Sequence, residues 1–139
     1  MRIGARRRCD EGRITMFFAI LATAWFTMVG LIVVGGGRVR AYQYADNVAT
    51  EAARSAAQAI DPGPATAGGT KTISPTLAAA AAKAYLDKVG ATGTVTVLPG
   101  GQSVRVDTQI TYKNPSGLEF LGGATWTAEG SATAVLIIR

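Results

Sequence analysis

The sequence contains no histidine and a single cysteine, Cys9, among its 139 residues. Without histidine the chain lacks the commonest general base and metal ligand. One cysteine supplies neither a thiolate metal site nor an internal disulfide, so the fold must be held by packing alone. Acidic residues are sparse as well. From Arg38 onward there are seven, scattered at Asp46, Glu51, Asp61, Asp87, Asp107, Glu119 and Glu129. No two share a predicted face as a general acid–base pair would, and none has the spacing of a calcium loop. Ser103 and Lys113 have no supporting hydrolase motif around them. These absences point to a non-enzymatic chain with no metal, no cofactor and no small-molecule substrate.

The most informative absence is of charge. Residues 14–37, ITMFFAILATAWFTMVGLIVVGGG, hold no Asp, Glu, Lys, Arg or His over 24 positions. A helix rises about 1.5 Å per residue, so roughly 20 of these residues cross a hydrocarbon core about 30 Å thick. The segment reads as a transmembrane helix. A removable signal peptide cut after Gly35 or Gly37 is the lesser alternative, because the run exceeds the usual h-region of about 7–15 residues. Within the run Ala19, Thr23 and Thr27 recur every fourth residue, and Gly35 continues the row after Leu31, a spacing that lets a second helix approach closely. Trp25 and Phe26 fall near mid-span and make no interfacial belt. The three terminal glycines, each about 1 kcal/mol worse than alanine in a helix, predict a flexible exit from the membrane.

Positive charge is unevenly placed. The net charge is +5, yet five arginines (Arg2, Arg6, Arg7, Arg8 and Arg13) lie in the first thirteen residues, against Asp10 and Glu11. Beyond residue 37 nine basic side chains face seven acidic ones. The excess therefore orients the span, and no basic stripe interleaved with aromatics suggests nucleic acid. The positive-inside bias puts residues 1–13 in the cytoplasm as a basic tail and the C-terminal hundred or so residues outside. Arg6, Arg7, Arg8 and Arg13 are placed to contact lipid head groups, at about 1 kcal/mol each. Cys9, on the cytoplasmic side, reads as a reduced bystander.

Outside the span the periodicity changes twice. Residues 38–60 are Ala-rich, with Val39, Tyr42, Ala45, Ala49, Ala52, Ala56 and Ile60 along one predicted face of a helix that continues the span. Asp61-Pro62-Gly63 ends it, and residues 61–75 read as a linker or exposed loop. Thr76 caps a second predicted helix reaching about Val89, with Leu77, Ala80, Ala81, Ala84 and Tyr85 inward and Gly90 as its stop. From Thr94 the period is two. Val95 and Val97 precede a Pro99-Gly100-Gly101 turn; Val104, Val106, Thr108, Ile110 and Tyr112 share one face of the next strand. A turn at 114–117 and a short apolar segment at 118–121, expected to cover the sheet end, lead to a last strand at 125–138. There Trp126, Ala128, Ala132, Ala134, Leu136 and Ile138 point inward, and Gly130 marks a bulge or close approach. The expected architecture is α+β: one transmembrane helix continuing into an Ala-rich helix, then a domain at 61–139 with one helix and a three-stranded antiparallel sheet. The helix at 76–89 is expected to cover the sheet while the long rod packs alongside. So thin a core, without disulfides, favours assembly with a partner.

The order of these features resembles a known family. Asp10-Glu11-Gly12 followed by Arg13-Ile14-Thr15-Met16-Phe17-Phe18 at the mouth of the span is similar to the TadE/TadG-like proteins of tight-adherence pili. The Gly-Gly-Gly-Arg exit and Tyr44-Ala45-Asp46-Asn47-Val48-Ala49-Thr50-Glu51-Ala52-Ala53-Arg54 continue the likeness, which covers residues 8–60. The resemblance implies a minor pilin or pseudopilin, pilin-like in fold, of a type IV-related pilus or secretion machine. It would be a single-pass plasma-membrane protein whose N-terminal helix packs against other pilins or machine subunits. It also implies a prepilin-peptidase site between Gly12 and Arg13. The fifth residue after Gly12 is Phe17, where classical pilins and TadE-type members carry a glutamate that offsets a neighbour's new amino group. That departure points to the uncleaved, TadG-like kind. Two other classes compete: a secreted or membrane-anchored binding domain with no pilus role, and, ranked last, an extracytoplasmic hydrolase.

Overall fold

The computed structural model describes residues 7–66, 68–69, 71–114, 117 and 119–136. Its spine is α1, Arg7–Ala57, a single helix of 51 residues, about 75 Å long at 1.5 Å per residue. Five residues of α2, Pro62–Thr66, and the longer α3, Pro75–Val89, follow. Strands β1 (Thr92–Val97), β2 (Ser103–Lys113) and β3 (Thr125–Val135) form one antiparallel sheet in that order, with a 3₁₀ turn at Glu119–Leu121 before β3. The fold is α+β, as the change of period from 3.6 to 2 required.

The two halves of α1 have opposite environments. Every large apolar side chain from Ile14 to Val33 is exposed. From Ala41 onward the helix instead buries a stripe of small residues, Ala41, Ala45, Val48, Ala49, Ala52, Ala53 and Ala56, against the sheet. The predicted face is corrected here: Val39 and Tyr42 are exposed, and the helix stops at Ala57 before Ile60. Small side chains fit best between a helix and a sheet this close, so alanines, with Val48, take the contact in place of bulkier residues. The glycine exit is also corrected, since α1 runs unbroken through Gly35, Gly36 and Gly37.

Sheet and helix meet most tightly at one crossing. Thr108 and Gly130 are paired across β2 and β3, with no bulge between them. A Cβ on Gly130 would collide with the Ala45 carbonyl and the Asp46 nitrogen, well inside van der Waals contact. Gly130 is therefore the close approach that the sequence marks. Beside it, the buried Thr108 hydroxyl donates to the carbonyl oxygens of Ala45 at 3.1 Å and Gly130 at 3.3 Å. Thr108→Val keeps the shape and removes the donor, so it should cost about 1 kcal/mol. Thermal unfolding of both chains in the same detergent measures it.

The inner face of the sheet matches its alternation: Val104, Val106, Thr108 and Ala128 are buried, with Ile110, Tyr112, Trp126, Ala132 and Ala134 partly so. The long helix, expected alongside, in fact covers β2 and β3, while α3 packs against β1 and α1. Ser74, not Thr76, is the N-cap of α3, with Pro75 in the first turn. The buried side chains of α3 are Ala78, Ala82 and Leu86, and Leu77 lies outside at 48% exposure. Gly90 closes the helix in the left-handed conformation, φ 70°. The stretch expected as a linker or exposed loop is fastened at both ends: Ile60 bridges Ile73, which is buried, and the Ile73 amide donates to Gly101 at 2.7 Å. Strand β1 starts at Thr92, two residues early, and β3 ends at Val135, with Ile138 outside the described residues.

Candidate functional site

The surface with most to do is the first half of α1. A helix apolar on every side, exposed from Ile14 to Val33, is a candidate membrane span with mean hydropathy 2.3. Water would solvate this surface poorly; lipid, or a partner helix in lipid, would not.

The predicted packing row lies on one face of that helix. Ala19, Ile20, Thr23, Ala24, Thr27, Met28 and Leu31 line a shallow apolar strip. The threonine hydroxyls do not reach outward. Thr23 donates to the Ala19 carbonyl and Thr27 to the Thr23 carbonyl, both at 2.8 Å. Each polar group is thus satisfied within its own helix, which lets the strip face hydrocarbon or a second helix without an unpaired donor. Gly35, at the far end of the row, has open space around its Cα. At the other end α1 passes through Gly12 and Arg13 without interruption, and both are exposed. Arg7 and Arg8 fall in its first turn, whereas Arg6 lies outside the described residues.

A second group, which the sequence reading missed, gathers where the apolar run ends. The Arg38 guanidinium sits 5.2 Å from the centroid of Trp126 and donates to the Gly122 carbonyl at 3.3 Å. Trp126 stacks on Tyr112, its partner across β2 and β3, with centroids 4.7 Å apart. The indole N–H of Trp126 is buried with no hydrogen-bond partner among the described residues. Tyr112 also covers Gly37: a Cβ there would lie 3.3 Å from its hydroxyl. Helix and sheet thus share a knot of Arg, Trp and Tyr at the base of the domain. The available signal was the pairing of two aromatics on inward positions at the same end of neighbouring strands. Of the segment 118–121, expected to cover the sheet end, the structure describes the 3₁₀ turn Glu119–Leu121. The 3₁₀ turn lies against α1 near Val34, and Leu118 is outside the described residues.

No family model, curated protein or solved structure matches the chain.

The wet face of the sheet is charged but self-paired. Arg105 and Asp107 form an exposed ion pair at 3.0 Å, and the carboxylate holds the guanidinium above its ordinary pKa by hydrogen bonding and by charge. Gln109 donates to Glu129 across the strands at 3.3 Å. On α1, Glu51 pairs with Arg54 at 2.9 Å. Exposed pairs of this kind contribute little to stability. Among the described residues, no three His, Cys, Asp or Glu side chains lie together as a metal site would require.

Proposed function

We propose that the chain is a non-enzymatic structural subunit, a minor pilin or pseudopilin of a type IV-related tight-adherence pilus or secretion machine. The observation that carries the reading is the division of α1. One continuous helix presents an all-round apolar half with a small-residue strip, then an alanine half that a three-stranded antiparallel sheet packs upon. A helix so divided anchors in lipid, offers one strip to neighbouring helices and carries a domain on a fixed arm. Such an arrangement is pilin-like, and the TadE/TadG-like resemblance over residues 8–60 supports it from the sequence side.

In this reading residues 1–13 are a cytoplasmic basic tail, 14–37 cross the plasma membrane once, and the C-terminal domain is extracytoplasmic. The five arginines ahead of the span support that direction. Other pilins or machine subunits would pack along Ala19, Thr23, Thr27 and Gly35, and Arg6, Arg7, Arg8 and Arg13 would meet the inner head groups. Phe17 stands where a cleaved pilin needs its acid, so the chain is proposed to keep the segment before Arg13.

Intact mass of the membrane-extracted protein tests the processing step: a species retaining residues 1–12 is expected, and one beginning at Arg13 would place it among the cleaved pilins instead. Crosslinking in membranes followed by pulldown tests the assembly role. Recovery of pilus-machine subunits is expected, and their absence would sink the proposal.

A further inference from the structure

Among the described residues of the connection between β2 and β3, Phe120 stands in the open, at 82% exposure. Its height along α1 gives that exposure a meaning. The 3₁₀ turn around Phe120 packs on α1, and Gly122 approaches so closely that a Cβ there would lie 2.6 Å from Val34 Cγ1. Val34 is 6% exposed, while every large apolar side chain before it in the run is open. The connection therefore reaches back onto the apolar run itself, four residues before the first charge at Arg38.

Lengths set the level. From Ile14 to Val34 the helix rises about 30 Å, the thickness of a hydrocarbon core. The turn thus stands where the run would leave the acyl chains. The same level holds Arg38, Trp126 and Tyr112, linked by the contacts described above. Of these, Trp126 and Tyr112 are turned inward between sheet and helix, while the exposed Arg38 suits a lipid–water boundary, with its stem on apolar surface and its charge among head groups. Beside Phe120, the exposed Glu119 is the one acid, and a short carboxylate at this height stays among hydrated head groups.

We propose that the 3₁₀ turn Glu119–Leu121 is a second membrane contact, with the Phe120 ring seated in the outer lipid boundary beside the end of the span. The partner is the bilayer itself. Together, span and ring hold the domain at a fixed height and tilt. The inference rests on reading residues 14–37 as a membrane span.

Full-length chain carrying Cys9→Ser and Phe120→Cys, labelled with an environment-sensitive fluorophore, tests it in phosphatidylcholine–phosphatidylglycerol vesicles. Two reference chains carry the label at Phe26→Cys in mid-span and at Gln102→Cys in the β1–β2 turn. Shallow and deep spin-labelled lipids serve as quenchers. At position 120 a blue-shifted emission is expected, with more intensity lost to the shallow quencher than to the deep one. At position 102 neither quencher should act. Emission at 120 matching that at 102 overturns the proposal. So does a blue shift that no lipid quencher reduces, because the ring would then be covered by protein, a second copy included. If the label at position 26 escapes the deep quencher, the span reading fails and takes this contact with it, an outcome separate from loss at position 120 alone.

Discussion

Gly130→Ala is expected to lift α1 off the sheet. The added methyl would overlap the carbonyl group of Ala45 and the nitrogen of Asp46. These are helix backbone atoms, which cannot rotate aside as a side chain can. Relief requires moving the whole helix outward, which opens the Thr108 hydrogen bonds and separates the alanine stripe from β2 and β3. Overpacking a core costs about 1–3 kcal/mol when side chains absorb it, and a backbone collision belongs at or above the upper end. Small domains have about 5–15 kcal/mol in hand, and one whose buried helix face is mostly alanine sits low in that range. Near-UV circular dichroism of Tyr112 and Trp126 during unfolding in detergent measures the loss. Gly36→Ala provides the contrast. Open space surrounds Gly36 in the same helix, so the change should stabilise α1 by up to about 1 kcal/mol. Equal behaviour of the two variants would remove the close-approach argument.

Phe26→Asp should drive the chain out of the membrane fraction. Phe26 is 78% exposed near the middle of the apolar run, and a carboxylate at the centre of a span costs about 3 kcal/mol, roughly a hundredfold in the insertion equilibrium. The companion is Ala52→Asp, which puts the same carboxylate at a fully buried position on the sheet-facing half. There it should unfold the domain, since an unpaired buried charge has no compensating partner, while leaving membrane attachment intact. Alkaline extraction reads the first effect and protease resistance of the domain reads the second. If Phe26→Asp left attachment unchanged, the span would have to be sought elsewhere.

Both predictions depend on the same helix, and the sequence revealed its halves unequally. The apolar half was legible because charge is absent for 24 residues, a signal that needs no partner to interpret. The inner face of the sheet was legible for a similar reason: Val104, Val106, Thr108, Ile110 and Tyr112 alternate cleanly with polar neighbours. The alanine helices were not. In α3 the side chain with most apolar surface near its start, Leu77, lies outside, while Ala78 and Ala82 lie inside. Alanine offers almost no contrast between faces, so the choice is made by how closely the neighbouring backbone can come. The same rule turned Ala41 inward and Val39 outward on α1. The Arg38–Trp126–Tyr112 group escaped notice because its members lie far apart in the chain and meet only once β2 and β3 are in register beside the helix.

The unbroken passage of α1 through Gly35, Gly36 and Gly37 has a mechanical meaning. A pull on the sheet is delivered through the Gly130 crossing into one continuous helical rod, with no break in the helix between the sheet and the apolar run. Those three glycines, each about 1 kcal/mol weaker than alanine, are also where the rod would first yield. Excess load would then be shed by stretching a few residues beside the Arg38–Trp126–Tyr112 knot, leaving the sheet and the apolar half of α1 intact on either side.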